Sequence, residues 1–136
     1  MIPEHLAVEI VTPTSLRKES RVDYVRAPGT DGLFGVMPGH VPALIALDSG
    51  EISLEQRGER RYFSTSGGYA EIHNEKVILL VETAEESDKI DVERAREALD
   101  RAKERLAVSE KSEIDTERAR AALERAKNRL TVAKRS

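Results

Sequence analysis

The chain has 136 residues, 35% of them charged and 4% aromatic, with no Cys, no Trp and a formal net charge of -3. That length admits one ordinary domain, or a small domain with an appendage, and the composition leaves a modest core with much solvated or partner-facing surface. A disulfide framework, a thiol nucleophile and a thiolate metal site are excluded, and no basic face with interleaved aromatics offers itself to nucleic acid.

No basic stretch precedes an apolar run near Met1, so no secretion signal is expected. No segment approaches the ~20 apolar residues of a spanning helix. From residue 6 to about residue 84, short apolar runs with period-two alternation lie between Gly, Pro, Asp and Asn clusters, which is the pattern of β-strands. Leu6, Val8 and Ile10 alternate with Ala7, Glu9 and Val11 before a turn at Thr12, Pro13 and Thr14, and residues 21–27 repeat the scheme. Each run is expected to bury one face. Clusters at 28–32, 37–42, 48–50 and 57–59 punctuate the strands at the roughly 8- to 12-residue spacing of sandwiches and barrels. Gly67-Gly68 precedes the strand-like Tyr69-Ala70-Glu71-Ile72, where a phosphate loop requires a helix N-terminus, so it is read as a tight turn or bulge. The unbroken apolar run at 77–81 predicts a central strand packed on both sides.

After residue 84 the composition turns to Glu, Arg, Lys and Ala without Gly or Pro, so helix propensity is high. The expected division is a β-domain over 1–84 and a helical hairpin over 85–136. Ile90-Asp91-Val92-Glu93-Arg94-Ala95 is echoed by Ile114-Asp115-Thr116-Glu117-Arg118-Ala119, and Arg101, Ala102, Lys103, Arg105 and Leu106 recur as Arg125, Ala126, Lys127, Arg129 and Leu130. In this internal duplication each Asp is placed as an N-cap, with Glu93 or Glu117 complementing the dipole. Two helices are expected, at about 91–107 and 115–133.

Ala95, Ala98, Leu99, Ala102 and Leu106 form one stripe, and Ala119, Ala122, Leu123, Ala126 and Leu130 form its twin. A short connection at 109–113 makes the helices antiparallel neighbours. A buried methyl contributes only about 0.8 kcal/mol against about 1.5–3 for a Leu side chain, so the hairpin is weakly held. Weakly held elements are the ones that move.

His5, His40 and His73 lack ligand spacing, and no nucleophile-elbow context or distinctive carboxylate pair stands out. Neither a metal site nor catalysis is expected. Arg94, Arg101 and Arg105, mirrored by Arg118, Arg125 and Arg129, lie beside the alanine stripe. Two readings stay open for these rows: a solvated charged face with i, i+4 partners, or a grip on phosphates and carboxylates.

Three motifs in order are similar to those of a known family. Gly32-Leu33-Phe34-Gly35-Val36-Met37-Pro38-Gly39-His40-Val41-Pro42 resembles a Gly-x-x-Gly-x-x-Pro-Gly-His-x-Pro loop, Ser66-Gly67-Gly68-Tyr69-Ala70-Glu71 a Ser-Gly-Gly-aromatic-x-Glu segment, and Ile90-Asp91-Val92-Glu93-Arg94-Ala95 an Ile/Leu-Asp-x-x-Arg-Ala helix start. Together they resemble the epsilon subunit of the bacterial F-type ATP synthase over nearly the whole chain.

That resemblance implies an α+β chain, with an N-terminal antiparallel β-sandwich of about ten strands followed by the two-helix hairpin. It implies a non-catalytic rotor subunit coupling the gamma subunit to the c-ring in proton-driven ATP synthesis, peripheral to the cytoplasmic face of the bacterial inner membrane. Asp31, Leu33, Phe34, Met37, Pro38, His40 and Pro42 would face gamma and the c-ring, with Leu33 and Phe34 as a small apolar tip. The hairpin would fold down or extend to the alpha/beta catalytic head and inhibit hydrolysis. No cofactor is implied as required. ATP is implied as a regulatory ligand, with Ile90, Asp91 and Ala95 beside adenine, Arg94, Arg101, Arg125 and Arg129 at the phosphates, and Glu85 nearby. The alternative from another class is an adaptor or chaperone-like scaffold of β-platform and helical arms.

Overall fold

A computed structural model describes residues 2–108 and 113–136, the Ile114 side chain excepted. Ten strands come first: β1 Leu6–Thr12, β2 Ser15–Val22, β3 Tyr24–Gly29, β4 Gly32–Val36, β5 Ala43–Leu47, β6 Gly50–Gln56, β7 Glu59–Thr65, β8 Gly68–Ile72, β9 Lys76–Val81 and β10 Ala84–Glu86. They pair in the order β10-β7-β6-β3-β5-β8-β9-β1-β2, with β4 on β3. The inward residues of β1, β8 and β9 share one core with those of β3, β6 and β7, as in a sandwich.

Local chemistry explains the turns. Arg57 and Gly58 have φ of 55° and 78°, the doubly positive geometry of a two-residue hairpin whose twist matches its strands. Gly67 and Gly68 have φ of 111° and 150°. A Cβ on Gly68 would stand 2.8 Å from the Cα of Val81, so only glycine lets β8 approach β9 this closely.

Three expectations about individual strands change. Not every pairing is antiparallel: β1 runs parallel to β9, with Val8 opposite Val77 and Ile10 opposite Leu79. Distant in sequence, these strands have no tight hairpin to dictate opposite directions. Residues 21–27 are not one strand, because Arg21 is left-handed (φ 55°) and the chain changes partner at Asp23, letting Val22, Val25 and Ala27 all point inward. Finally, β9 is packed on one side. Val77, Leu79 and Val81 are buried while Leu80 is 42% exposed, so the continuous apolar run reflects a bare outer face and not a second internal layer.

The chain divides into two compact units, Met1–Glu86 and Ser87–Ser136. This boundary falls later than 84/85 because Ala84, Glu85 and Glu86 pair with Thr65, Ser64 and Phe63 of β7. Glu85 is therefore a strand residue and not part of the helical unit.

The helical unit holds a single 3₁₀ turn at Ser87–Lys89, α1 at Val92–Val108 and α2 at Glu113–Ala133. Asp91 caps α1 as expected: its Oδ1 accepts from the Arg94 amide at 3.1 Å and its carbonyl from the Ala95 amide at 3.0 Å. Asp115 is no cap. Because α2 already begins at Glu113, Asp115 lies inside the first turn, where its charge still complements the dipole. The two helices pack against each other, and the 3₁₀ turn packs against α2. The expected connection at 109–113 lies, apart from Glu113, outside the described residues. Ala95, Ala102, Ala119 and Ala126 are buried, whereas Leu99, Leu106, Leu123 and Leu130 are only half-buried.

Candidate functional site

The expected partner loop follows from the β3–β4 hairpin. Pairing of Ala27 with Phe34 and Pro28 with Leu33 turns these neighbours to opposite faces. Leu33 is 61% exposed, but Phe34 packs against the core. The apolar tip is therefore Leu33 with Met37 and Val41, which are also exposed, and Phe34 is its support.

Asp31 and Pro42 are exposed, while Pro38 and His40 are half-buried. Gly39 adopts φ 85° and donates its amide to the Asn74 carbonyl at 2.9 Å; the His40 amide donates to the Met37 carbonyl at 3.2 Å. The His40 Nδ1 lies 2.6 Å from the Val41 carbonyl and must carry the proton to bond it. This loop is preshaped. Ile2, which the motif reading passed over, leans on it: a Cβ on Gly39 would stand 2.9 Å from Ile2 Cγ2.

A second surface was not anticipated. On the outer face of the sheet, register aligns Ala46 with Tyr69, Tyr69 with Leu80, Leu80 with Val11 and Val11 with Leu16. This apolar row crosses five strands, about 19 Å at ~4.8 Å per strand. Tyr69 and Leu16 are 55% and 56% exposed. Beside it runs Leu44, Glu71, Ile78, Glu9 and Lys18, a mixture of apolar and charged residues.

Both carboxylates of that second row have partners. Glu71 meets His73 at 2.9 Å and Glu9 meets Lys76 at 2.5 Å. The hydrogen bond from Lys76 holds the Glu9 carboxyl below the usual carboxylate range. The signal in the sequence was that β1, β5, β8 and β9 carry apolar residues at both parities, as strands covered on both faces do.

The expected nucleotide residues are divided between units. Glu85 belongs to the sheet unit, where it pairs with Ser64; the other seven belong to the helical unit. Asp91 and Arg94 are brought together by the cap, with Arg94 Nε 3.7 Å from Asp91 Oδ2. Ile90 and Ala95 are buried. Arg101 and Arg125 are exposed and Arg129 is half-buried. Arg101 lines an open depression of about 500 Å³ with Glu104, Arg105 and Val108. The donor set suits a polyanion in chemistry, since guanidinium forks match phosphate oxygens.

Comparison with known proteins now has two units to match. The ATP synthase delta/epsilon chain beta-sandwich domain matches residues 5–87, and the delta/epsilon long alpha-helix domain matches residues 88–134. The chain belongs to the ATP synthase delta/epsilon chain family. It is 48% identical to the ATP synthase epsilon chain of Nitratidesulfovibrio vulgaris (strain DP4) over 107 residues, 78% of this chain and 80% of that one. It is 41% identical to the epsilon chain of Carboxydothermus hydrogenoformans over 104 residues, 76% and 78% of the two chains.

Among solved structures, the Euglena gracilis mitochondrial ATP synthase (OSCP/F1/c-ring) contains a chain of the same fold, with TM-score 0.83 and 21% identity. The match covers 100% of this chain and 84% of that one. The central stalk/c-ring structure of Tetrahymena thermophila mitochondrial ATP synthase contains another, with TM-score 0.65 and 11% identity over 98% and 99% of the chains. No helix among the described residues is long and apolar enough to cross a membrane.

Proposed function

We propose that this chain is the epsilon-type rotor subunit of an ATP synthase: a non-catalytic element whose sheet unit joins gamma to the c-ring and whose helical unit restrains ATP hydrolysis. The observation that carries this reading is the apolar row Ala46, Tyr69, Leu80, Val11 and Leu16, displayed on strands whose opposite side is a dense core. A monomer gains nothing by leaving a Tyr and two Leu in water on one flat face, and a partner that covers them recovers apolar burial. The row is assigned to gamma. The loop tip of Leu33, Met37 and Val41, with Asp31, Pro38, His40 and Pro42 around it and Phe34 beneath, is assigned to gamma and the c-ring. On this reading the chain works beside the membrane, on its cytoplasmic side.

The helical unit is the regulatory part. Its buried centre is alanine, so separating α1 from α2 exposes little apolar area and the unit can exchange one packing for another. Extension toward the alpha/beta head would present the basic stretch from Arg118 to Arg135, most of α2 and the residues just after it, to acidic surfaces there. ATP is proposed as a ligand of the helical unit through Asp91, Arg94, Arg101, Arg125 and Arg129, with Ile90 and Ala95 around it. A ligand that prefers one conformer shifts the population toward it by its differential affinity.

Titration of gamma with the full chain and with Tyr69→Asp/Leu80→Glu tests the anchor: the variant stays folded and binds at least about 100-fold more weakly, about 2.7 kcal/mol. Equal affinity would assign the grip elsewhere. Removing residues 87–136 leaves gamma binding intact and relieves inhibition of hydrolysis. Isothermal titration of the isolated chain with millimolar ATP separates the ligand from the rotor role, since absence of heat removes ATP alone.

A further inference from the structure

Strand β10 is three residues long, lies at one end of the sheet path and has the sequence Ala84-Glu85-Glu86. So short and polar a strand at an edge is expected to fray, because little apolar area holds it. It is also the last element before the helical unit, so any pull from that unit reaches it first.

What holds it is a closed ring of charges. Arg61 forks onto Glu86, with Nε 3.3 Å from Oε2 and Nη2 3.2 Å from Oε1. Arg17 Nη1 reaches the same Glu86 Oε1 at 3.1 Å. Glu19 closes the ring, 3.0 Å from Arg61 Nη1 and 3.6 Å from Arg17 Nη1.

Both guanidinium groups lie over the ring of Phe63, at 5.2 Å and 5.8 Å from its centroid. Phe63 itself is buried. The ring thus ties β2, β7 and β10 together, and β2 and β10 are the two ends of the sheet path. Glu19 and Glu86 are only 19% and 18% exposed, so the pairs are screened less than open surface pairs. Forked, stacked guanidinium contacts also lose less side-chain freedom per bond than lysine would.

We propose that this ring of Arg17, Glu19, Arg61 and Glu86 over Phe63 is the fixed stop of the hairpin's hinge. It clamps β10 to the sheet, so that the helical unit pivots at the junction of Glu86 and Ser87 and does not peel β10 away. The proposal rests on the reading of the helical unit as mobile. Without the ring, the tether gains at least three residues and the arms lose a defined starting point.

Hydrogen exchange on the full chain tests the clamp. In Arg17→Gln, Arg61→Gln and Glu86→Gln the amides of 84–86 exchange about tenfold faster or more, while peptides from β8 and β9 keep their rates. Arg60→Gln, which removes an exposed neighbour outside the ring, changes neither. Unaltered exchange at 84–86 in the Arg17→Gln/Arg61→Gln double variant overturns the proposal. Equal acceleration through the whole sheet does so too, by making the ring a general staple.

The pivot is read separately. The chain has no native Cys, so Thr14→Cys/Ala107→Cys carries two spin labels, one on each unit. Their distance distribution is expected to broaden in the double variant, and an identical distribution overturns the hinge. A single narrow distance in the parent chain, with and without gamma, would sink the mobile-arm reading instead, while the exchange result still decides whether the ring holds β10.

Discussion

The two units of this molecule are built from different currencies of burial. In the sheet unit Phe63, Ile52, Leu54, Ile72 and Leu79 are all no more than 1% exposed, and they belong to one cluster spanning nearly every strand. In the helical unit the buried described residues are Ile90, four alanines and Val132, with the leucines of the stripe left half-exposed. A Leu removed from water contributes about 1.5–3 kcal/mol and an Ala methyl about 0.8, so the sheet is expensive to disturb and the helices are not. The lesson is that one short chain can join a densely packed unit to a lightly packed one by changing residue size and little else.

The comparison is broken most directly in the sheet core. Leu79→Ala is expected to cost about 2–5 kcal/mol in urea unfolding of the sheet unit. A loss under about 1 kcal/mol would mean the core relaxes freely, and the contrast would disappear.

Next comes Gly68→Ala, expected to cost about 1–3 kcal/mol through its φ of 150° and the clash with β9, and to weaken the outer apolar row by shifting Tyr69 against Leu80. Unchanged stability together with unchanged gamma binding would refute the close approach.

In the arm, Ala102→Gly should lower the helical unit's stability by about 1 kcal/mol, close to the propensity term alone, because so little seam is lost. Circular dichroism of the helical melt measures it. A cost like that of Leu79→Ala would show the alanine seam to be as firm as the sheet.

The smallest effect sharpens the picture of the outer face. Glu9 has its pKa lowered in the folded state, chiefly by the hydrogen bond from Lys76. Its contribution is therefore present above the ordinary carboxylate range and lost as pH falls through the folded-state value. Urea midpoints followed from roughly pH 6 to pH 3 should show a slightly shallower acid decline in Glu9→Gln. An identical decline removes the pair from the account.

Much of the fold was readable in the residues. Alternation in Leu6, Val8 and Ile10 marked a strand with one buried face, and Arg57-Gly58 marked a hairpin turn. Asp91 marked a helix start through the chemistry of its own side chain. Such features are local, decided within a few residues. Asp115 misled because a cap and a first-turn acid are the same residue type within one turn of each other. Phe34 misled because facing depends on register, and register depends on the partner strand.

The candidate site divided the same way. The Pro38-Gly39-His40 loop was visible as a motif, and its shape follows from Gly39. The apolar row was not, since Leu16, Val11, Leu80, Tyr69 and Ala46 come from five strands scattered over the chain and meet only through register. The run at 77–81 hinted at it and was assigned to an inner layer, because sequence records that a strand is apolar on both faces without recording what lies against each.

By itself, then, the sequence determined the order of elements, the change from β to helical grammar, the family motifs and the thinness of the alanine seam. All of these rest on short-range periodicity and side-chain chemistry. Tertiary structure alone decided the parallel docking of β1 on β9, the inclusion of Glu85 and Glu86 in the sheet, the exposed row, and the meeting of Arg17, Glu19, Arg61 and Glu86. The reason is physical: pairing partners many residues apart are chosen by the burial of the whole core, a sum that no local window contains.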